Sequence, residues 1–516
     1  VEPPEDPLCQ WLKEAVDMKP KEWTTDQVKT FKHDILGLHD MKKKMVIREC
    51  YTQMQSHIVT WLNGIFNPPL KEGEERMTPG GLLIVTGTPG IGKSVFLAYM
   101  AVILIVEDYD IVIQRGNTWT SYINGKATAY GKTEPLGLLE QSTTVQLFDP
   151  LAGGKVELDA RARGCSIVFT SPHGGSYKVA YKQKLEEPTV LFMPIWSKPE
   201  VLRHKTVLFL QILDEIAEET ANKMVEEAYD LLGGSVRWLV KLLKAGGDLS
   251  QTARRMIQKC IENCTYEDLR KAVLREPQNV QGEGKQSQLS LLLQIKSAKP
   301  YDRGEVMLIE SPVAHESIRE KLDLQGREAR QQFVNACLEY KELGSFVGNL
   351  FQEDVLTGLT SGIVRTLTVR SLKTKETDNV DVPTASLNLM LIENLPKNFE
   401  PYSLRTDVLY VPESKNFPAT DFFFAQKQDD GFGVWLLQIT KGKKHEFKLE
   451  SMHQKFQRYF AEPDLKKVLA IKWIIVTPSK ATAEAYTAEK TPQGQWKQNG
   501  KVVAPEQYVS WGKWTD

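Results

Sequence analysis

Short apolar runs alternate with polar or helix-compatible stretches between Gly81 and Trp196. These runs have the length and the β-branched composition of buried strands, and they are Leu82–Thr86, Ile111–Gln114, Val145–Phe148, Ser166–Thr170 and Val190–Met193. Continuous apolar strands separated by helical stretches are typical of a parallel sheet that is covered on both faces. The pattern therefore predicts a parallel α/β core over residues 76–200.

The segments on either side of this core carry helical spacing. Residues 1–75 contain helix-like apolar positions and end in the breaker-rich run Asn67-Pro68-Pro69, which predicts a helical N-terminal region followed by a linker. Residues 201–340 repeat apolar positions at helical intervals, as at Ile212 and Ile216. This second stretch predicts a helical lid or bridge.

β-type runs return in residues 341–516 and predict a second α/β or α+β domain there. A helical stretch near Phe447–Phe460 precedes the last of them. The apolar runs are Ile363–Val369, Leu387–Leu391, Val408–Val411, Gly433–Thr440 and Ala470–Val476.

The composition is typical of a multidomain globular protein and indicates neither a membrane protein nor a disulfide-rich one. At about 150 residues per domain, 516 residues correspond to roughly three domains. Lys plus Arg number 65 against 66 for Asp plus Glu, so any surface for nucleic acid or anionic membrane must be local. The apolar runs are far shorter than the ~20 residues that cross a bilayer, and no N-terminal signal pattern is visible, so we expect a non-membrane protein. The six cysteines lack paired CxxC spacing, which favours reduced thiols.

The clearest chemical motif follows the first predicted strand. The run Gly87-Thr88-Pro89-Gly90-Ile91-Gly92-Lys93-Ser94 has the GxxxxGK(S/T) pattern, and a helix-compatible stretch comes directly after it. Glycines let main-chain N–H groups surround phosphate oxygens, and a helix N-terminus adds positive potential. We expect Lys93 to balance β- and γ-phosphate charge and the Ser94 hydroxyl to bind Mg²⁺. The motif predicts a site for ATP with Mg²⁺.

Other candidates for this site follow the later strands. Asp149 ends the run Val145–Asp149 and is our candidate for the second Mg²⁺ ligand, with a turn cap before Pro150 as the alternative. Thr170 and Ser171 either sense the γ-phosphate or cap a turn. Arg237 is either a charge sensor or a surface arginine. Because Pro150 stands where a water-polarising Glu would follow, the sequence supports nucleotide binding more strongly than hydrolysis.

Together with the P-loop, several further motifs resemble the Crinkler and retrotransposon-hot-spot type of effector proteins, which join a P-loop ATPase to a nuclease-like domain. These motifs are Leu147-Phe148-Asp149-Pro150, Thr170-Ser171-Pro172, Met193-Pro194-Ile195-Trp196-Ser197 and Leu232-Gly233-Gly234-Ser235-Val236-Arg237. The resemblance covers roughly residues 80 to 480. It implies a multidomain α/β protein with an AAA- or STAND-like P-loop sheet, a helical bridge and a C-terminal restriction-endonuclease-like domain. By the same analogy it implies a secreted effector that acts in the host nucleus and perturbs host-cell viability.

The resemblance also points to a C-terminal site of the PD-(D/E)xK type, in which an acidic pair binds a metal ion and a Lys orients the nucleophile. Asp421 fits the first carboxylate, while Gln438 and Thr440 stand where Glu and Lys are usual. Asp421 and Gln438 are the candidate metal ligands. Lys441 faces away unless the strand twists, and Glu353 is a candidate further ligand. The alternative is a strand pair whose polar residues serve solubility.

The main hypothesis is an effector whose ATP binding and hydrolysis control a metal-dependent, DNA-cleaving or DNA-binding C-terminal domain. One rival is an ATP-dependent switch whose nuclease-like domain is inactive and only binds DNA or a protein partner. Another is a STAND-type oligomeric signalling ATPase, in which Arg237 and an arginine from a neighbouring copy of the same chain complete the site.

Overall fold

The computed structural model divides the chain into an N-terminal unit, Val1–Lys321, and a C-terminal unit, Leu322–Asp516. The residues it describes are 6–37, 43–66, 81–141, 143–150, 164–171, 188–262, 264, 291–326, 330, 332–334, 337, 344–360, 366–382, 388–392, 400–412, 420–428, 430–440, 449–477, 480–484, 486, 496–498, 501–503 and 505–511.

The N-terminal unit combines helices with one large sheet and two small ones. Its helices are α1 (Pro7–Asp17), α2 (Glu49–Phe66), α3 (Lys93–Val106), α4 (Leu136–Leu139), α5 (Lys198–Arg203), α6 (Lys205–Leu208), α7 (Leu210–Leu213), α8 (Glu218–Leu232), α9 (Val236–Ala245), α10 (Leu249–Ile261) and α11 (Pro312–Leu324), with 3₁₀ turns at Pro20–Glu22 and Ile35–Gly37. Its strands are β1 (Val28–Thr30), β2 (Lys44–Val46), β3 (Leu82–Thr86), β4 (Asp110–Arg115), β5 (Thr118–Ile123), β6 (Lys126–Gly131), β7 (Thr144–Asp149), β8 (Cys165–Phe169), β9 (Thr189–Phe192), β10 (Leu293–Ser297) and β11 (Gly304–Leu308).

The large sheet has the order β6-β5-β4-β7-β8-β3-β9. Five consecutive strands of this order are parallel to one another, namely β4, β7, β8, β3 and β9. These are the five strands predicted for residues 76–200, and each is confirmed to within one residue at each end. The expectation of a purely parallel sheet is wrong, because β5 and β6 add an antiparallel hairpin. The hairpin turns at Asn124-Gly125, whose φ values of 48° and 78° fit a tight two-residue turn.

The helix α3 packs on the inside of this unit and is buried along nearly its whole length. It contacts β4, β7 and β8 on one side and the N-terminal α1 and α2 on the other. Aromatic rings join these layers, with Tyr51 of α2 lying 4.9 Å from Phe96 and Trp23 lying 6.2 Å from Tyr99. The start of α3, which follows β3 directly, is therefore held from several sides.

The C-terminal unit is built around one mixed sheet. Its helices are α12 (Gly344–Thr360), α13 (Leu449–Tyr459), α14 (Glu462–Leu465) and α15 (Lys480–Glu484). Its strands are β12 (Thr366–Ser371), β13 (Thr377–Asp381), β14 (Asn388–Ile392), β15 (Val408–Pro412), β16 (Phe422–Gln428), β17 (Gly431–Ile439), β18 (Val468–Thr477), β19 (Trp496–Gln498), β20 (Lys501–Val503) and β21 (Glu506–Trp511).

The eight-stranded sheet has the order β13-β12-β21-β18-β17-β16-β15-β14. The pairs β14/β15, β17/β18 and β18/β21 are parallel, and the other neighbours are antiparallel. Its core includes a stack of aromatic rings, in which Phe423 lies 4.8 Å from Tyr410 and 4.7 Å from Phe456. The polar ends of β16 and β17 are thus fixed by a well-packed centre. Among the described residues, no helix is long and apolar enough to cross a membrane.

Candidate functional site

The main-chain carbonyl oxygens of the P-loop, Gly87–Ser94, are engaged by donors of the surrounding protein. Lys93 Nζ donates to the carbonyl oxygens of Gly87 at 2.8 Å and Thr88 at 3.0 Å. The next two carbonyls accept hydrogen bonds from residues at the start of α9: Pro89 from the Ser235 hydroxyl at 2.8 Å, and Gly90 from the N–H of Arg237 at 3.3 Å. The carbonyl of Ile91 accepts from the indole N–H of Trp196 at 2.9 Å, and that of Gly92 accepts from the N–H of Phe96 at 2.9 Å. Every carbonyl oxygen from Gly87 to Gly92 therefore accepts a hydrogen bond.

The N–H groups of the same loop are arranged differently. No described residue accepts a hydrogen bond from the main-chain N–H of Gly90, Gly92, Lys93 or Ser94. Gly90 and Gly92 adopt φ values of 81° and 101°, which residues with a side chain rarely reach. Gly92 is the N-cap of α3, where the first N–H groups of the helix have no partner within it. This combination of outward carbonyls and available N–H groups suits an anion.

Lys93 is a buried lysine at the beginning of α3, with 8% of its surface exposed. Burial and the neighbouring positive charge of Arg237 lower its pKa to about 7, against the opposing influence of Asp149. A second cation beside a buried ammonium is unfavourable unless anionic charge joins them. The electrostatics of the loop therefore favour a negatively charged ligand.

The carboxyl ends of β7, β8 and β3 lie at one edge of the sheet, because Phe148 pairs with Val168 and Val168 pairs with Ile84. This edge brings Asp149 and Thr170 to the same side as the P-loop. Asp149 is buried, and its carboxylate lies 3.7 Å from Nε of Arg115, the residue opposite it on β4.

Thr170 and Ser171 follow β8 directly and occupy the space between Asp149 and the P-loop in strand order. The N–H of Thr170 donates to the carbonyl of Val85 at 3.0 Å, and its hydroxyl donates to the carbonyl of Ser171 at 3.3 Å. Thr170 is buried and Ser171 is half-buried. The structure brings together the sequence-predicted residues of this site, and their chemical roles stay predictions.

Arg237 reaches the site through its main chain as well as its charge. A Cβ atom added to Gly90 would lie 2.4 Å from Cβ of Arg237 and 3.1 Å from the Ser235 hydroxyl. The N-terminus of α9 therefore lies directly on the P-loop, and only glycine fits at position 90.

Arg48, just before α2, was not found by sequence reasoning. It is 2% exposed, donates to the carbonyls of Pro194 and Ile195 at 3.1 and 2.9 Å, and pairs with Glu200 at 3.3 Å. Its guanidinium lies 4.3 Å from the ring of Trp196, whose indole binds the P-loop. The run Pro194–Ser197 was a recognisable motif, but the sequence carried no signal for its arginine partner.

The C-terminal candidate site is centred on Asp421, just before β16. Its Oδ2 accepts hydrogen bonds from Gln438 Nε2 at 2.7 Å and from the N–H of Ile439 at 2.6 Å. Burial raises its pKa to about 6, against the hydrogen bond from Ile439. Asp421 and Gln438 therefore lie together as predicted, but the amide of Gln438 is placed as a donor to the carboxylate.

The helix α12 presents Gln352 to this carboxylate, with Nε2 of Gln352 lying 3.4 Å from Oδ1 of Asp421. Glu353 points elsewhere and pairs with Arg330 at 2.9 Å. Arg330 also pairs with Asp354 and Asp323 at 2.8 and 2.6 Å. The helix that was expected to supply a carboxylate thus brings an amide to Asp421.

Thr440 and Lys441 are the remaining candidates for the predicted C-terminal site. Thr440 continues β17 and donates its N–H to Val476 at 3.0 Å. Lys441 lies outside the described residues, as do the basic residues Lys443, Lys444 and His445 that follow it. Within the described part of the chain, no group of three or more His, Cys, Asp or Glu side chains is placed to hold a metal ion.

Two curated proteins from Phytophthora infestans are similar to this chain. Crinkler effector protein 16 is 23% identical over 418 residues, which cover 79% of this chain and 59% of that protein. Crinkler effector protein 15 is 23% identical over 417 residues, which cover 79% of this chain and 60% of that protein. The chain thus spans about three fifths of the length of the curated relatives it matches. No protein-family model matches it.

Among solved structures, the chain is similar to AMPPCP-bound DnaA from Aquifex aeolicus. The match covers 56% of this chain and 93% of that chain at 9% identity, with a TM-score of 0.27. So low a TM-score supports no conclusion about ligand or activity. The sequence relatives are therefore the comparison that supports a Crinkler-like assignment.

Proposed function

We propose that the N-terminal unit binds ATP at Gly87–Ser94 and hydrolyses it, as the nucleotide switch of a Crinkler-like effector. The observation that carries the proposal is the P-loop, whose carbonyl oxygens from Gly87 to Gly92 are all engaged by protein donors while N–H groups remain available at the start of α3. Burial and the charge of Arg237 lower the pKa of Lys93, and a bound anion would raise it again. A triphosphate satisfies both features.

The residues at this edge also fit Mg²⁺ in the presence of nucleotide. Asp149 is a buried carboxylate at the end of β7, and Ser94 lies in the first turn of α3. Two such oxygens, completed by phosphate and water oxygens, suit an ion that prefers octahedral oxygen ligands. When bound, Mg²⁺ would neutralise charge between the β- and γ-phosphates. Thr170 and Ser171 would lie nearest the γ-phosphate, and Arg237 would add positive charge.

Binding is tested by titration calorimetry of the purified protein with ATP and Mg²⁺. Lys93→Ala removes the buried ammonium and is expected to weaken binding at least tenfold. Lys223→Ala, an exposed lysine on α8, serves as the matched control and is expected to bind as wild type. Equal affinity in wild type and Lys93→Ala would remove the nucleotide half of the proposal.

Hydrolysis is tested separately by phosphate release. Asp149→Asn is expected to lower the turnover rate by two orders of magnitude or more while ATP binding is retained, because a neutral amide is a poor ligand for Mg²⁺. Wild type that binds ATP and releases no phosphate would restrict the unit to a binding switch.

For the C-terminal unit we propose binding to DNA or a protein partner without cleavage. The donors on Oδ2 of Asp421 support this alternative, since Gln438 and Ile439 place N–H groups where a metal would need access to the carboxylate. The carboxylate of Asp421 with the side-chain amides of Gln438 and Gln352 is also a weak ligand set for Mg²⁺. The described residues therefore do not fit a metal centre here, and no cleavage step is derived from them.

Metal-dependent cleavage is the rival for the same unit. Labelled double- and single-stranded DNA with Mg²⁺ or Mn²⁺, with and without ATP, is expected to be retarded in a gel and left intact. Cleavage that disappears in Asp421→Ala would establish the nuclease instead. Loss of cleavage in Lys93→Ala as well would show that ATP controls it.

The effector role extends the same proposal to the host. The two relatives are named Crinkler effector proteins, which supports an effector role. From the motif resemblance alone, we expect action in the host nucleus and reduced host-cell viability. Expression of wild type and Lys93→Ala in host cells, each with and without an added nuclear export signal, tests both parts. The STAND-type alternative predicts a larger mass with ATP than without it. A monomer in every nucleotide state would remove that alternative.

A further inference from the structure

The hairpin formed by β10 and β11 lies against the nucleotide site, although neither strand was predicted. Its first contact is with the P-loop itself. The N–H of Ile295 donates to the Thr88 hydroxyl oxygen at 2.7 Å, and the Thr88 side chain is completely buried. One of the two side-chain hydroxyls of the P-loop is thus turned toward the hairpin.

The second contact is with the turn between α8 and α9. Gln294 Nε2 donates to the carbonyl of Leu232 at 2.8 Å, and its Oε1 accepts from the N–H of Gly234 at 3.3 Å. The amide fills the space over this turn so closely that a Cβ on Gly233 would lie 2.3 Å from it. Gln294 is 5% exposed, so both hydrogen bonds are formed away from water.

The turn that Gln294 holds is the one whose next residues bind the P-loop. Ser235 donates to Pro89, and the N–H of Arg237 donates to Gly90. A third contact joins the hairpin to the end of β9, where the N–H of Phe192 donates to Tyr301 at 2.7 Å. The hairpin therefore holds three segments around the site: the P-loop, the turn between α8 and α9, and the end of β9. The neighbouring residues Gln294 and Ile295 of β10 make the first two contacts.

We propose that the β10–β11 hairpin holds the P-loop in its nucleotide-binding form, with Gln294 as the positioning residue. This inference rests on the proposed ATP site. Gln294 acts through the turn at Gly234 and, by way of Ile295, through Thr88. Buried amide hydrogen bonds of this kind cost free energy when one partner is removed, because the other is left unsatisfied.

The test uses the full chain with two substitutions that preserve shape. Gln294→Met removes the amide donor and acceptor, and Thr88→Val removes the hydroxyl that Ile295 binds. Each is expected to weaken ATP binding roughly tenfold, which corresponds to the loss of about one well-formed buried hydrogen bond. Thr88→Ser keeps the hydroxyl and is expected to restore most of the affinity that Thr88→Val loses. Glu310→Gln, an exposed change just after β11, is the control.

The double variant distinguishes positioning from general damage. If both residues act through the hairpin, the loss of affinity in the double variant is smaller than the product of the two single losses. If Thr88 instead contacts phosphate directly, the two losses multiply. Multiplying losses, or wild-type affinity in Gln294→Met, would overturn the proposal.

Hydrogen exchange of the nucleotide-free protein separates this inference from the proposed function. Gln294→Met is expected to speed amide exchange at least tenfold at Arg237, whose N–H donates to Gly90 of the P-loop, while amides of the core strand β4 keep their protection. Unchanged exchange at Arg237 would overturn the role of Gln294 even if ATP binds. Faster exchange in a protein that binds no ATP would contradict the proposed ATP site and would still support the role of the hairpin in holding the P-loop.

Discussion

The buried side chain of Lys93 would make the proposed nucleotide binding sensitive to pH. Its pKa of about 7 lies below the ordinary value of 10.5, so between these values the free folded protein holds fewer protons here than the unfolded chain. The sign follows directly: this group lowers stability below pH 7, and the loss is relieved as the pH rises toward 10.5. A bound triphosphate would raise the pKa of Lys93 again by supplying negative charge.

ATP binding at pH 8.5 is therefore expected to take up about one proton, because Lys93 changes from mostly neutral to charged. Calorimetry in two buffers with different ionisation enthalpies measures this uptake. Lys93→Arg is the control, since a guanidinium stays charged at every accessible pH. Identical heats in both buffers for wild type would contradict the assignment.

The carboxyl group of Asp421 changes stability with pH in the opposite direction to Lys93. Burial raises the pKa of its carboxyl to about 6, so the folded protein retains a proton that the unfolded chain loses above pH 3.8. Its contribution to stability therefore falls as the pH rises from about 4 to 6. Asp421→Asn is expected to become more stable relative to wild type by about 1–3 kcal/mol across this range. Melting curves at pH 4.5 and 7.5 measure the difference, with Asp430→Asn at the exposed turn before β17 as control. A constant difference would exclude the raised pKa.

Residue spacing located the loop Gly87–Ser94 between β3 and α3, because the GxxxxGK(S/T) pattern fixes where a strand ends and a helix begins. Phosphate binding by this loop stays a prediction. It predicted the helix beside Asp421 less well. Glu353 was expected at this site, and its neighbour Gln352 contacts Asp421 instead. Adjacent helical residues differ in direction by about 100°, and the rotation of α12 is set by tertiary packing. The partners of Arg48 lie about 150 residues away and left no local pattern.

At the scale of elements, the contact between the P-loop and the start of α9 depends on Gly90. Gly90→Ala adds a Cβ that meets Arg237 Cβ at 2.4 Å, in a backbone with φ of 81°. We expect α9 to be displaced and ATP binding to weaken at least tenfold. Gly125→Ala is the matched control, because its φ is 78° and nothing lies within 4 Å of the added Cβ. It carries the same backbone strain of about 1 kcal/mol and leaves calorimetric ATP affinity unchanged. Equal effects of the two substitutions would show that strain alone is responsible.

The pattern of apolar positions predicted five strands of the first sheet, because β3, β4, β7 and β8 are buried over most of their length and β9 at the edge is still partly buried. It missed β5 and β6, whose burial is partial and whose residues are largely polar. The Asn124-Gly125 pair was the available signal for that hairpin. The strands β10 and β11 were hidden inside a region with helical spacing, since short strands carry few residues from which a period can be recognised.

The whole molecule consists of two compact units, so each should unfold with its own transition. ATP with Mg²⁺ at one hundred times its dissociation constant is expected to stabilise the N-terminal unit by about 2.7 kcal/mol and leave the other transition unchanged. Phe423→Ala identifies the second transition, because removing this buried ring should destabilise the C-terminal unit by about 3–5 kcal/mol. Scanning calorimetry of wild type, Lys93→Ala and Phe423→Ala measures all three effects. An ATP shift that persists in Lys93→Ala would contradict the expectation.

The sequence divided the chain into four regions, and that division stays a prediction about independent folding. The structure groups the chain more coarsely. The N-terminal helices pack on α3 through Tyr51 and Trp23, and such long-range aromatic contacts have no counterpart in local spacing.

The cysteines have a consequence for how the molecule can be observed. All six are thiols and all six are buried, with five in the N-terminal unit and Cys337 in the C-terminal unit. Burial also raises the pKa of Cys50 to about 11 and that of Cys260 to about 12, so their thiolates are scarce at neutral pH. An alkylating reagent must therefore wait for a unit to open. The peptides that contain the modified cysteines differ between the two units. The rate of alkylation at each peptide therefore measures how often that unit opens.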